Sequence, residues 1–260
     1  MRGRAWAAAL VLAAGAAAAR ADDAPAPAPP LADMPATHST PGWSRQASSL
    51  LLYGEDGGMA QEIPLHEADD AGTTSNETIG GVSPEGHMAW TLERRLVYSP
   101  GRTKLLESHR LFRTFGAAGA ELWRSASVDI PERGAPALFS ADGKTVFLAE
   151  RGDDGWYADA RTWLGDVLVK IGPFPRLIST ALTPNGRYAL ARWSVPDKSD
   201  THTFLDLAAK IRRDVPSSDL VLGLARVGDD GVVRSGSKVV FAFDVPGSTA
   251  PASAAPAPPR

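Results

Sequence analysis

The chain has 260 residues, no cysteine and a formal net charge of −3, and its basic residues form no cluster larger than Arg94-Arg95 or Arg212-Arg213. The absence of cysteine excludes disulfides, thiolate metal sites, cysteine nucleophiles and a lipid-bearing cysteine. The absence of a basic stripe with interleaved aromatics sets nucleic acid aside as a partner.

In chain order, the first segment reads as an export signal over residues 1–21. Arg2 and Arg4 precede an apolar run from Ala5 to Ala19, and Ala19-Arg20-Ala21 has the small-x-small form of a cleavage site. The run is short and alanine-rich for a membrane span. Cleavage would remove three arginines and take the net charge from −3 to −6. Residues 22–42 follow as an Ala/Pro-rich linker and residues 248–260 as an Ala/Pro-rich tail. Such segments stay extended and solvated, because proline offers no N–H and alanine little to bury. The folded domain is expected over residues 43–247, with no second long apolar segment. The expected location is the periplasm or the outside of the cell.

Within that domain one tetrapeptide recurs: Ser83-Pro84-Glu85-Gly86, Ser140-Ala141-Asp142-Gly143, Thr183-Pro184-Asn185-Gly186 and, more loosely, Gly228-Asp229-Asp230-Gly231. Each is a turn signal followed by a strand-like run, and helical periodicity is scarce. A spacing of roughly 40–50 residues is that of repeated four-stranded sheets, the blades of a propeller. The regular copy runs from Leu177 to Pro216, with strands expected at 177–182, 187–195, 201–207 and 211–215. Phe204–Arg212 also admits a helix, but Thr201 to Leu207 alternates as a strand does. A second copy spans Ala137–Pro173, with a long polar loop at Arg151–Ala160 and a strand at Thr162–Leu164. A third spans Thr78–Pro131, its excess length at Tyr98–His109. Leu220–Ala225 and Val232–Val245 give two strands at one end, and Leu50–Tyr53 and Gln61–Leu65 two at the other. Joined, these make one composite blade, so the expected fold is all-β, a propeller of about four blades closed by N- and C-terminal strands. A β-sandwich with Asp-Gly hairpins is the alternative.

The turn-and-strand segments Ser-Pro-Glu-Gly-His-Met-Ala-Trp, Ser-Ala-Asp-Gly-Lys-Thr-Val-Phe and Thr-Pro-Asn-Gly-Arg-Tyr-Ala-Leu resemble the core of WD40-like repeats of the TolB propeller type. The resemblance covers roughly Thr78 to Val245 and implies an exported propeller; the Trp-Asp ending of true WD40 repeats is absent. It implies no particular ligand, because that fold hosts binders, scaffolds and enzymes.

Catalytic signatures are missing. There is no Gly-x-Ser-x-Gly elbow, no His-x-x-x-His or His-Glu-x-x-His, and no phosphate-binding glycine loop. No metal or other cofactor is expected. The acidic stretch Glu150, Asp153, Asp154, Asp159 is the best place for a cation, but its spacing fits no calcium loop and reads as ordinary turn chemistry. Trp90, Trp163 and Trp193 fall in strand patterns and read as inter-blade core. Trp156-Tyr157 falls in the acidic loop, so the expected interaction loop comprises Asp153, Asp154, Trp156, Tyr157 and Asp159. The expected function is a non-enzymatic exported propeller that binds another envelope or extracellular protein, or an envelope component, through loops on one face: Tyr98–His109, Arg151–Ala160 and Pro196–Asp200. The alternative is a hydrolase or lyase on sugar or peptide, using carboxylates such as Glu77, Asp142 or Asp219 around a central channel.

Overall fold

The structure is a computed structural model and describes residues 41–243. The signal, most of the Ala/Pro-rich linker and the C-terminal tail lie outside the described residues.

The described chain is all-β, with nineteen strands in five antiparallel sheets that follow one another along the sequence. The first sheet holds β1 (Gly42–Arg45), β2 (Ser49–Tyr53) and β3 (Met59–Pro64). The second holds β4 (His66–Ala71), β5 (Thr74–Val82), β6 (Ala89–Tyr98), β7 (Leu105–Phe115) and β8 (Glu121–Ser125). The third holds β9 (Ala137–Phe139), β10 (Thr145–Arg151), β11 (Trp156–Thr162) and β12 (Val167–Phe174). The fourth holds β13 (Arg176–Leu182), β14 (Tyr188–Ser194), β15 (Thr201–Asp206) and β16 (Ile211–Pro216). The fifth holds β17 (Arg226–Val227), β18 (Val232–Ser235) and β19 (Lys238–Ala242).

Period-two alternation gives each central sheet two apolar faces. In β10, Val146 and Leu148 face Trp90, Leu92 and Phe112 of the second sheet, whereas Phe147 and Ala149 face Leu177, Ala189 and Leu205 of the fourth. Trp43, Leu50 and Leu52 meet Ala89 and Phe115 between the first two sheets, and Tyr188, Leu190 and Phe204 meet Val233 and Phe243 between the last two. Sheets stacked in chain order with both faces of the middle three covered are propeller blades. A sandwich has two sheets, so that alternative is excluded.

The recurring tetrapeptide is the device that stacks them. All four copies are tight turns in which the final glycine donates to the first residue's carbonyl: Gly86 to Ser83 at 2.9 Å, Gly143 to Ser140 at 3.0 Å, Gly186 to Thr183 at 2.9 Å and Gly231 to Gly228 at 3.0 Å. In the first three the buried Ser or Thr hydroxyl also accepts the N–H five residues on, at 3.0 Å each from Met88, Thr145 and Tyr188. The glycines have φ of +73°, +70°, +69° and +72°, and each lies against the preceding sheet. A Cβ would come within 2.7 Å of Trp43 O at Gly86, 2.9 Å of Met88 Cγ at Gly143, 2.8 Å of Ser140 Cβ at Gly186 and 2.6 Å of the Tyr188 hydroxyl at Gly231. Backbone bonds join the same ends: Trp43 N–H to Gly86 O and Ala141 N–H to Pro184 O, both 2.7 Å. Asn185 N–H and its side-chain amide donate to the Asp229 carboxylate and carbonyl, both at 3.0 Å.

Several expectations need correction. The chain ends do not share a blade: Leu52 belongs to the first sheet and Phe241 to the fifth, and no strand pair or apolar cluster joins those sheets among the described residues. The blade count of four therefore gives way to five sheets. The N-terminal strands gain a third partner in β1, which begins beside the turn at Gly86. The run Val232–Val245 is broken by Gly236, at φ +59°, into the hairpin β18–β19. Thr162–Leu164 is a hairpin turn closed by Gly165 N–H to Thr162 O at 2.9 Å, which leaves Trp163 38% exposed instead of in the core. Leu220–Ala225 is mostly irregular, with a short 3-10 turn at Val221–Gly223. Phe204–Arg212 is strand and turn.

Gly186→Ala should cost about 1 kcal/mol of backbone strain plus about 1–3 kcal/mol for the forced contact with Ser140 and Thr145. Gly101→Ala, at φ +74° with nothing within 4 Å of the added Cβ, should cost the strain alone. Urea denaturation of the two variants measures the difference, and equal losses would remove the stacking role.

Candidate interaction face

Antiparallel order puts the recurring turns, after β5, β9, β13 and β17, at one end of their sheets. The loops after β1, β6, β10, β14 and β18 fall at the other end. Because the turns of neighbouring sheets touch, those opposite loops share one side of the molecule. They are 46–48, 99–104, 152–155, 195–200 and 236–237. The three expected contact segments therefore fall on a common side, although two are shorter than expected. Only 99–104 of Tyr98–His109 lies outside strands, and only 152–155 of Arg151–Ala160.

The second sheet projects from this side. β6 and β7 have 10 and 11 residues, against 7 and 7 for their counterparts β10 and β11. The strands start at matched distances from the turn, so the extra three or so residues extend the hairpin by about 10 Å. Tyr98 N–H donates to Thr73 O at 2.8 Å and ties it to the β4–β5 hairpin. Arg102 lies over the Tyr98 ring at 5.1 Å, and Leu105 and Leu106 are 45% and 55% exposed.

The expected site residues divide three ways. Asp153 and Asp154 are exposed in the turn closed by Gly152 N–H to Gly155 O at 2.8 Å. Trp156 and Tyr157 are half-buried at the start of β11, so they are strand residues. Trp156 packs into the core between the third and fourth sheets, beneath the Arg151 guanidinium at 5.5 Å. Tyr157 donates to Asp154 at 2.7 Å and carries the Lys170 ammonium over its ring at 4.7 Å. The bond to Asp154 raises the phenol's pKa.

Asp159 is fully buried in mid-strand and contributes nothing to the surface. Its Oδ2 accepts from Arg161 at 2.7 and 2.9 Å, and Arg161 also reaches Glu150 at 3.0 Å, whose other oxygen holds Lys170 at 2.6 Å. Arg161 in turn covers the Trp123 ring of the second sheet at 5.3 Å. The four acidic residues of the expected loop thus do not converge, and no group of three or more metal-ligating side chains forms among the described residues.

A second charged group lies on the facing sheet. Arg94 pairs with Glu77 and approaches Asp129 at 3.5 Å, while Arg110 holds Asp129 at 2.8 Å. Asp129 lies between β8 and β9, against the third sheet, its N–H bonded to Ala149 O of β10 at 3.0 Å. Beside it a cavity of about 370 Å³ opens between the projecting hairpin and the 152–155 turn, lined by Arg94, Tyr98, Leu105, Asp129, Arg151 and Asp153 among others. Sequence reading missed Arg94, Arg110 and Asp129. The signal was present in β6, where Arg94 continues the face that Leu92 begins. The carboxylates Asp142 and Asp219 are held locally, by Ser140 at 2.7 Å and Ser218 at 3.1 Å.

No family model matches the chain, and no curated protein matches it. Solved structures resemble it only loosely. A chain from a structural and mechanistic study of two prolyl endopeptidases gives 16% identity over 70% of this chain and 28% of that one, with a TM-score of 0.38. TolB from Acinetobacter baumannii gives 10% identity over 65% and 48%, at 0.33. A chain of the mitotic checkpoint complex gives 9% over 65% and 58%, at 0.35. The chain spans less than two thirds of each of these, and likeness at this level assigns no function.

Two buried groups give opposite pH signatures. Burial raises the Asp159 pKa from 3.8 to about 6, so its contribution to stability is complete below about pH 4 and lost as pH rises through 6. Burial, then the nearby Arg192, lowers the His202 pKa from 6.5 to about 4, so its contribution is complete above pH 6.5 and lost as pH falls through 4. Between pH 4 and 6, Asp159→Asn should make stability rise more steeply with pH and His202→Asn should flatten it, each by at most about 3 kcal/mol across the window. Urea midpoints at a series of pH values test this, and slopes moving in the same direction would contradict it.

Proposed function

We propose that this protein is an exported, TolB-type propeller that binds another envelope or extracellular protein through the loop side of its second and third sheets. The observation that carries the reading is the cleft between the projecting β6–β7 hairpin and the 152–155 turn. It combines an apolar and aromatic wall, Tyr98 and Leu105, with the exposed cation of Arg151. Tyrosine and arginine are enriched in protein-binding surfaces, and a rigid sheet presents them with little ordering cost. The TolB affiliation rests on the turn tetrapeptides, and export on the N-terminal sequence pattern.

The hydrolase or lyase reading has less support. The carboxylates expected for it are each held by a neighbour, Glu77 by Arg94, Asp142 by Ser140 at 2.7 Å and Asp219 by Ser218 at 3.1 Å.

A photo-crosslinking residue placed at Leu106 and at Asp153 should capture the same partner from envelope extract, and one placed at Glu85 on the turn side should not. Leu105→Ser with Leu106→Ser, both exposed, should lower capture at Asp153 about tenfold without changing the urea midpoint. Equal capture at all three positions, or none at any, would overturn the proposal.

A further inference from the structure

The connection from the fourth to the fifth sheet holds an apolar loop in a conformation that its residues do not favour. Leu222 has φ +53°, in the left-handed region that leucine rarely enters, and is 91% exposed. Val221 and Leu224 on either side are 50% and 55% exposed. Neither feature relieves the other: a strained backbone is being used to present aliphatic surface to solvent.

The loop is held from below by one side chain. Ser235, 1% exposed on β18, accepts the Val221 N–H at 2.7 Å and donates to the Leu224 carbonyl at 2.6 Å. Leu220 is buried at one end, and Val221 lies 3.7 Å from where a Cβ on Gly236 would sit, beside the β18–β19 hairpin. The loop therefore shares the side that carries loops 46–48, 99–104, 152–155, 195–200 and 236–237. Around it stand the exposed cations Arg226 and Lys238, the latter opposite Ser235 in register, and the 55% exposed Val239. Arg234 is occupied by Asp230 at 2.8 Å, and Asp219 is the nearest acid in sequence.

The form of this feature selects its occupant. It is a convex tip of branched aliphatic residues without an aromatic ring, and leucine and valine are under-represented among the anchors of protein–protein interfaces. Aliphatic side chains flanked by arginine and lysine match the boundary between anionic headgroups and acyl chains. We propose that Val221–Leu224 is a wedge that inserts Leu222 into an anionic lipid surface, with Arg226 and Lys238 on the headgroups. The proposal concerns the fifth sheet and does not depend on the cleft beside the second.

The chain contains no cysteine, so Leu222→Cys provides a single labelling position. An environment-sensitive fluorophore there, on the full chain, should shift to the blue with phosphatidylglycerol/phosphatidylcholine vesicles, and less with phosphatidylcholine alone. The same label at Glu85→Cys on the turn side should not respond. Leu222→Asn keeps a residue tolerant of positive φ, so the fold should survive with an equal or higher urea midpoint, while the vesicle partition coefficient falls about tenfold. No shift at position 222, or an unchanged partition coefficient for Leu222→Asn, would overturn the proposal even if other parts of the chain bind vesicles. A label at 222 that responds to an envelope protein fraction and not to lipid would replace the lipid surface with a protein partner.

Discussion

At a φ near +70° glycine leaves open the space a side chain would fill, and in this protein the neighbouring sheet occupies that space. Gly86, Gly143, Gly186 and Gly231 each end a turn in this way, and each is in contact with the sheet before it. The contact is too close for any Cβ, so at this end the glycine backbone packs directly on the neighbouring sheet, on Trp43 O at Gly86 and on the side chains of Met88, Ser140 and Tyr188 at the other three. The backbone and Asn185–Asp229 bonds then fix the order in which the sheets follow one another. The apolar clusters add most of the burial, but they are generic. The turns give register.

Fixing one end leaves the other free to vary. At the turn end the four recurring turns are short and repeat one glycine N–H to first-residue carbonyl bond, whereas at the opposite end a hairpin lengthens, an acidic turn is exposed and so is a leucine loop. Between the second and third sheets the two regimes meet. There Val146, Leu148 and Phe112 form a dry core near the turns, and Arg94, Arg110, Asp129, Glu150, Asp159, Arg161 and Lys170 form a charged one toward the loops. Removing one member of such a network costs more than the network adds, because its partner stays buried and unpaired. Burial raises the pKa of Asp159 even with Arg161 in place.

The sequence showed the repeat because its turns use residues with few other purposes. Ser or Thr at the first position and Gly at the fourth are required by local bonds, and local bonds are legible. The strand order of the third and fourth sheets followed from alternation. The expected closure failed for a different reason: which chain shares a sheet with the N-terminal strands is a long-range choice, and neither Leu50–Tyr53 nor Val239–Phe243 encodes its partner. The acidic stretch failed through register. Asp153 and Asp159 look alike in sequence, yet one lies in a two-glycine turn and the other points inward from β11, a difference set by where the hairpin at Gly152–Gly155 closes. Arg94 and Arg110 went unnoticed because a charged residue continuing an apolar face is indistinguishable from a solvated one until the facing sheet is in place.

The most direct measurement is native-state hydrogen exchange at the amides of Trp43 and Ala141. Each lies at an exchange-prone chain position, a strand start or a turn, and each donates to the next sheet at 2.7 Å. If turn-to-turn bonding organises the stack, both amides should exchange orders of magnitude more slowly than a free turn amide and open together with the strands they join. Exchange at the rate of an unstructured loop, with β10 and β14 still protected, would show that the sheets are held by their apolar faces alone.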